Sequence, residues 1–202
     1  MKSRTFRHRL SIALRMLRDR PKGFYIDYPF PETVPANVPT YTHVEDLFES
    51  NREKFSSIIS SFLTTINDFR THISSGNVPW QSPGQFPQLD IACAYCMVRE
   101  CKPASIIEIG SGTSTFVLSS ALQDNGAGRL KCIDPEPRRD ITGLDIDFER
   151  RLLSVDDVRV VGALGANDIL FIDSSHLFLP GSDVDIEFNR LFPELPTGCL
   201  VH

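Results

Sequence analysis

The pattern of apolar residues changes at Ser105, and this change constrains the fold more than any other feature of the sequence. From there, short apolar runs alternate with helical segments. A run such as SIIEI or DILFID, apolar almost throughout, is typical of a strand buried on both faces of a parallel sheet. Strands alternating with helices require right-handed crossovers and predict an α/β fold with a doubly wound, mostly parallel sheet. The strands are expected within SIIEI, LKCID, DIDFERRLL, DILFID and GCLVH, and the helices at Thr115–Gln123 and Ser182–Glu194.

The N-terminal part of the chain has a different character. A basic helix is expected over residues 3–19, followed by a segment with prolines at 21, 29, 31, 35 and 39, which exclude a helix or a central strand and imply an extended segment. From Thr42 apolar residues recur at steps of three and four, which predicts one long amphipathic helix. Another helix is expected over Leu89–Glu100. We therefore predict an α-helical extension over residues 1–85 and an α/β domain over residues 86–202, with the N-terminal helices as a candidate surface for homo-oligomer formation.

Charge and hydropathy exclude some classes of function. Residues 1–22 hold eight Lys and Arg against one acid, whereas the whole chain of 202 residues carries a net charge of −5. The acidic body of the chain argues against general nucleic-acid binding. No apolar run approaches the roughly 20 residues that cross a bilayer, so we expect no transmembrane segment. The basic N-terminus lacks the apolar centre of a secretory signal, which favours a cytoplasmic protein.

A glycine-rich turn follows the first predicted strand. Gly110 and Gly112 lie at the carboxyl end of that strand, where ligands bind in sheets of this kind. A dinucleotide fingerprint needs a third glycine where Thr115 stands, and the Glu108 carboxylate would repel a pyrophosphate. A nicotinamide-dependent oxidoreductase is therefore disfavoured. The carboxylate suits a cationic ligand, and Asp134 at the end of the next strand suits the hydroxyls of a ribose, which together indicate S-adenosylmethionine.

Three motifs carry a resemblance to a known family. The stretches IIEIGSGTST, CIDPEPR and ILFIDSSHLFLPGSDVD resemble the class I S-adenosylmethionine-dependent methyltransferases, and in particular a bacterial branch with EIGSGxST and IDSSH. The resemblance covers Phe86–His202 and implies a Rossmann-like core. It implies that the glycine turn holds the methionine end of the cofactor, Asp134 the ribose, and Asp156 or Asp157 the adenine. The cofactor-binding residues expected from it are Glu108, Gly110, Ser111, Gly112, Ser114, Asp134 and Asp156.

The motif IDSSH is the candidate reacting centre. His176 has an intrinsic pKa near 6.5, which suits the base that takes the acceptor's proton. In the metal-dependent enzymes that this branch resembles, an acid after the fourth strand ligates Mg²⁺, and Asp173 can do so here. Structural alternatives stay open: Asp173 and Ser174 can begin and cap a turn, His176 can be a structural hydrogen-bonding residue, and Asp183 can belong to the first turn of a helix.

The sequence departs from the family pattern at its end. It stops at His202, inside the expected fifth strand, whereas enzymes of this class continue through two further strands, so we expect a fragment of a longer protein or a truncated copy. Two functions follow. The first is an S-adenosylmethionine-dependent methyltransferase that O-methylates a hydroxyl of a small molecule or glycan. The alternative is a catalytically impaired methyltransferase fold that acts as an interaction module through the basic arm and the long helix.

Overall fold

The computed structural model describes residues 40–76 and 88–202, together with positions 10, 13, 14 and 17. The chain divides into two compact units, Met1–Glu49 and Ser50–His202. Most of the predicted basic helix, the proline-rich segment and the predicted boundary between residues 85 and 86 lie outside the described residues. Nothing among the described residues forms a helix with both the length and the apolarity needed to cross a membrane.

Five parallel strands form the sheet of the second unit, in the order β3-β2-β1-β4-β5. The chain adds strands on one side of β1 and then returns to add β4 and β5 on the other side. The predicted doubly wound α/β sheet is confirmed, including its weakest strand, β3. The strands are β1 Ser105–Ile109, β2 Arg129–Ile133, β3 Asp147–Glu149, β4 Ile169–Ile172 and β5 Leu200–Val201.

Helices cover both faces of this sheet, because its strands alternate their apolar side chains between two cores. Ile106 of β1 belongs to one cluster with residues of α4 (Gln88–Cys101) and α5 (Thr113–Asn125). Ile107 belongs to the opposite cluster, with Val161 at the end of α6 (Val158–Val161). This two-sided burial explains why the strands are apolar almost throughout. The helices on the two faces leave the carboxyl ends of the strands uncovered.

The prediction of one continuous amphipathic helix from Thr42 is wrong, because the helix is interrupted. The structure has three helices, α1 Thr42–Ser50, α2 Arg52–Phe62 and α3 Ile66–Ser75. The chain leaves helical geometry after Phe62, where the hydroxyls of Ser61 and Thr64 bond to backbone carbonyls three residues earlier. Such bonds compete with the helical ladder. Within the second unit, Phe62, Ile66, Phe69 and Ile73 pack against the core cluster that contains Ile106.

The segment predicted as one helix over Ser182–Glu194 is also divided. A short α-helix, α7 (Asp183–Ile186), continues into a π-helical turn at Glu187–Leu191 and a 3₁₀ turn at Phe192–Glu194. Ser182 caps α7, since its hydroxyl accepts a hydrogen bond from the Asp185 N–H. Leu191 is fully buried, so the wider turn keeps this segment on the sheet.

Candidate functional site

A cleft of about 400 Å³ opens at the carboxyl ends of β1, β2 and β4. It lies where β1 separates the strands added on one side from those added on the other, which is the expected ligand position in an open α/β sheet. The cleft brings together Gly110, Ser111, Asp134 and Asp173 of the predicted site residues. Its full lining is Ile109, Gly110, Ser111, Ile133, Asp134, Pro135, Glu136, Arg138, Leu152, Leu153, Asp173, Ser174, Ser175 and Asp183.

The turn after β1 is built against the loop after β4. Gly110 has φ of +88°, and a Cβ added there would overlap the backbone carbonyl oxygen of Asp173. The Asp173 N–H donates to the Ile109 carbonyl at 2.8 Å, and the Gly110 N–H donates to the Ile133 carbonyl at 3.0 Å. Gly110 is therefore required by its backbone conformation and by the neighbouring strand end, before any ligand is considered.

Ser111 and Asp134 form a buried pair in the cleft wall. The Ser111 hydroxyl donates to Asp134 Oδ2 at 2.7 Å, and the Glu136 N–H donates to Asp134 Oδ1 at 2.7 Å. Asp134 is only 7% exposed. One donor on each oxygen fixes the plane of the carboxylate, while each oxygen retains acceptor capacity for a ligand hydroxyl.

Glu108 lies beneath the turn and outside the cleft lining. Its side chain is fully buried, with Oε1 accepting from the Ser114 hydroxyl at 2.6 Å and Oε2 from the Thr115 hydroxyl at 2.8 Å. The Cys132 thiol donates to Oε2 as well, at 3.1 Å. Burial raises the pKa of Glu108 to about 7; these hydrogen bonds oppose the shift, and the nearby Asp173 carboxylate adds to it. Direct contact between Glu108 and a cofactor stays a prediction.

The hydroxyls of the glycine turn are engaged within the protein. Thr115 Oγ1 accepts from the Gly112 N–H at 2.9 Å while its proton goes to Glu108, so one hydroxyl joins the start of α5 to the buried acid. Thr113 Oγ1 accepts from Arg139 Nε at 2.9 Å. Gly112, Thr113 and Ser114 also line a small cavity beside the cleft. Thr115 therefore replaces the third glycine of a dinucleotide fingerprint with a structural hydrogen-bonding group.

The predicted reacting groups lie next to each other after β4. Asp173 Oδ1 is 3.2 Å from His176 Nε2, and the imidazole side chain is 68% exposed. His176 has φ of +60°, so the chain turns sharply at this residue. Asp173 lines the cleft, whereas His176 lies outside the cleft lining and reaches it through its contact with Asp173.

Asp183 holds this loop in place. Its Oδ2 accepts from the Ser175 N–H at 2.8 Å, and its Oδ1 accepts from the Ser175 hydroxyl. Asp183 lies in the first turn of α7, as the structural alternative in the sequence analysis predicts. It also forms part of the cleft wall. Sequence reasoning missed this double role because Ser175 and Asp183 are eight positions apart, and no local pattern indicates their contact.

A ligand set for Mg²⁺ is lacking in the described part of the chain. No group of three or more His, Cys, Asp or Glu side chains there is arranged to hold a metal ion. Asp173 faces His176, whose nitrogen is a poorer partner for a hard cation than oxygen. The expectation of a magnesium site at Asp173 is not supported.

The segment after β3 presents leucines to the cleft. Leu152 and Leu153 line it, while Asp156 is exposed and Asp157 is buried outside the lining. Asp157 accepts two hydrogen bonds from Arg151, at 2.6 and 2.8 Å. A role for Asp156 beside an adenine stays a prediction. The apolar pair directly after the weak strand was the available signal for a flat, apolar ligand surface, and the sequence interpretation did not use it.

Comparison with known proteins gives a family match over the sheet and the cleft. Residues 107–202, slightly under half of the chain, match the model of a family described as "Methyltransferase domain". This match supports a class I methyltransferase. A search of curated proteins finds no match.

Two solved structures are similar at low identity. One is the SAH-bound methyltransferase PaMTH1 from Podospora anserina, with 17% identity and a TM-score of 0.40, covering 83% of this chain and 72% of that one. The other is a Staphylococcus aureus protein named as a candidate caffeoyl-CoA O-methyltransferase, with 15% identity and a TM-score of 0.38, covering 77% and 69%.

Proposed function

We propose that this chain is an S-adenosylmethionine-dependent methyltransferase that transfers a methyl group to a hydroxyl of a small-molecule or glycan acceptor. The observation that carries the proposal is the cleft at the switch point of the sheet. There an oriented carboxylate, Asp134, lies beside the glycine turn and opposite Asp173, within the region that matches the methyltransferase family.

The cleft wall offers one surface for each part of the cofactor. Asp134 accepts hydrogen bonds from the ribose hydroxyls with its two fixed oxygens. Leu152 and Leu153 pack against the adenine ring. The turn at Gly110 and Ser111 lines the same cleft and receives the methionine end. Four acids (Asp134, Glu136, Asp173 and Asp183) and one base, Arg138, line the cleft, so its net negative charge favours a cationic ligand over a pyrophosphate.

Glu108 acts on this surface through α5 and the glycine turn. Its bonds to Ser114 and Thr115 fix the first turn of α5 under the cofactor's methionine end. With a pKa of about 7 the buried group is partly protonated at neutral pH. This reduces the repulsion between Glu108 beneath the turn and the nearby Asp173 carboxylate in the cleft wall.

When bound, S-adenosylmethionine supplies a methyl group that its sulfonium already activates for displacement. The protein then has to align the acceptor and take a proton. The acceptor oxygen forms the new C–O bond as the C–S bond breaks, and S-adenosylhomocysteine leaves with the electron pair. His176 takes the hydroxyl proton at Nδ1, while its Nε2–H donates to Asp173 Oδ1, 3.2 Å away, which orients the ring and balances its new charge.

Isothermal titration calorimetry tests the proposal. We expect one molecule of S-adenosylmethionine or S-adenosylhomocysteine to bind per chain, and NAD⁺ to give no heat, because the cleft lacks a phosphate-binding glycine pattern and is lined by acids. Binding of NAD⁺ in preference to both S-adenosyl compounds, or no binding of either of these two, would refute it.

A further inference from the structure

We propose that the side chains of Leu177, Phe178 and Phe188, here called the aromatic patch, bind the acceptor, and that the acceptor is a hydroxylated aromatic compound. This inference rests on the proposed function and narrows its acceptor class. The three side chains are 57%, 63% and 56% exposed, and the rings of Phe178 and Phe188 are in contact, so large apolar groups are open to solvent here. Leu177 directly follows His176, the proposed base.

The patch is built as a surface of fixed shape. The ring of Phe188 meets that of Phe178 edge to face, with centroids 5.8 Å apart. On its other side Phe188 contacts Phe192 at 4.9 Å, and Phe192 packs against the core under the sheet. The exposed rings are therefore anchored to the partly buried ring of Phe192. Offset and edge-to-face arrangements of this kind are also those in which a further aromatic ring binds favourably.

The loop that carries Leu177 and Phe178 is held at Ser182. The Ser182 hydroxyl donates to the Leu177 carbonyl at 2.8 Å and accepts from the Leu179 N–H at 3.2 Å. Ser182 also caps α7, which leads directly into the turn that carries Phe188. Both halves of the patch are thus fixed by one residue, so little ordering is left to occur when a ligand binds.

The patch and the cleft wall are formed by the same two segments of the chain. Ser174 and Ser175 of the cleft wall precede it by two or three residues, and Asp183 of the same wall lies one turn before Phe188. The bonds between Asp183 and Ser175 join these segments. A ring lying on the patch therefore directs its hydroxyl toward His176 and Asp173.

The size of the patch favours a small molecule over a protein partner. Three side chains of this kind, a little over half exposed, present on the order of 300 Å². A stable protein interface needs about 800 Å² from each partner. The patch itself contributes no charged group, and a leucine beside two phenylalanines suits a flat apolar body better than the polar rim of a sugar.

The test uses 7-hydroxycoumarin, a small hydroxylated aromatic compound, on the full chain saturated with S-adenosylhomocysteine. Saturation-transfer NMR and fluorescence titration should show binding, whereas methyl β-glucopyranoside should give no transfer. Phe178→Ala and Phe188→Ala should each weaken coumarin binding by about fivefold or more. Leu89→Ala, which removes another exposed apolar side chain on α4, should leave it unchanged. The affinity for S-adenosylhomocysteine should stay within about twofold of the parent value in all three variants.

The outcomes separate the two proposals. If S-adenosylhomocysteine fails to bind the parent chain, the proposed function fails and the acceptor role falls with it. If it binds but coumarin binds equally well to the two Phe variants, the acceptor site is refuted while the methyltransferase stands. Preference for the glucoside would also refute the aromatic acceptor. A dimer in sedimentation that both Phe variants dissociate would assign the patch to self-association instead.

Discussion

Gly110 packs against the backbone of Asp173 so closely that no side chain fits between them. Gly110 begins the glycine turn after β1 and Asp173 begins the loop after β4, so the positions of the turn and the loop are coupled. Any change that moves one of them moves the other. A substitution at Gly110 consequently reports on the integrity of the strand ends as well as on cofactor contact.

This relationship predicts different costs for the two glycines of the motif. Gly110→Ala should lower the free energy of unfolding by at least about 2 kcal/mol, because the new Cβ combines a positive φ with an overlap of backbone atoms. Gly112→Ala should cost less than about 1 kcal/mol, since its nearest neighbour would be Arg138 Cβ at 3.8 Å. Urea unfolding of both variants measures the difference. Equal losses would show that the turn adapts and that the two strand ends are not joined as described.

Glu108 predicts that stability falls as the pH rises. Its pKa is raised from 4.5 to about 7 in the folded protein, chiefly by burial. A raised carboxyl pKa means that the folded state holds its proton more tightly than the unfolded state does. The stabilisation is complete below the unfolded pKa and is lost as the pH rises through the folded pKa. The expected loss between pH 4.5 and pH 7.5 is about 3 kcal/mol.

Glu108→Gln isolates this contribution, because the amide keeps the shape of the side chain and does not titrate. Urea unfolding of parent and variant across that pH range should show the free energy of unfolding of the parent falling relative to that of the variant as the pH rises. Other titrating groups cancel in the comparison. A difference that is constant with pH would mean that the Glu108 pKa is ordinary and that its buried bonds are those of a plain carboxylate.

The two neighbouring aspartates after β3 should respond to substitution by asparagine with stability losses of different size. Burial alone would raise the pKa of Asp157, but hydrogen bonds from Arg151 and from the Ser154 N–H lower it below its usual value. Asp157→Asn should cost about 2 kcal/mol near neutral pH, and less as the pH falls through the low pKa of the carboxyl. Asp156 is exposed, so Asp156→Asn should change stability by less than about 0.5 kcal/mol.

Thermal unfolding at pH 7 and pH 4 distinguishes the pair. If Asp156 contacts the adenine, Asp156→Asn would weaken S-adenosylhomocysteine binding without changing stability. A large stability loss for Asp156→Asn together with none for Asp157→Asn would contradict the geometry described for this segment.

The elements that sequence periodicity could predict were those with one strong local signal. Continuous apolar strands such as Ile169–Ile172 are buried on both faces, and the glycines after β1 require a special backbone. The continuity of the N-terminal helix could not be predicted in the same way. The helical spacing of apolar residues continues past Thr64 in the sequence. The break after Phe62 depends instead on side-chain hydroxyls that compete for backbone carbonyls.

Within the site, residue type predicted which strand ends would meet but not how the side chains pair. Asp134 and Ser111 are 23 residues apart in the sequence, and their bond follows from the register of β1 and β2. The burial of Glu108 beneath the turn has the same origin, since it faces Cys132 across that register. Tertiary packing, which no local pattern encodes, also decided that Leu152 and Leu153 would line the cleft.

The dissociation constant of S-adenosylhomocysteine tests the assignment of the cleft as the cofactor site most directly. It is measured for the parent chain, Asp134→Ala and Asp145→Ala. Asp145 is an exposed carboxylate that lines a separate cavity with Gly128 and Leu130, so it serves as the matched control. Loss of a carboxylate that accepts ligand hydroxyls should raise the dissociation constant about 10- to 100-fold in Asp134→Ala. The control should stay at the parent value. Equal affinity of all three proteins would contradict the assignment of the cleft as the cofactor site.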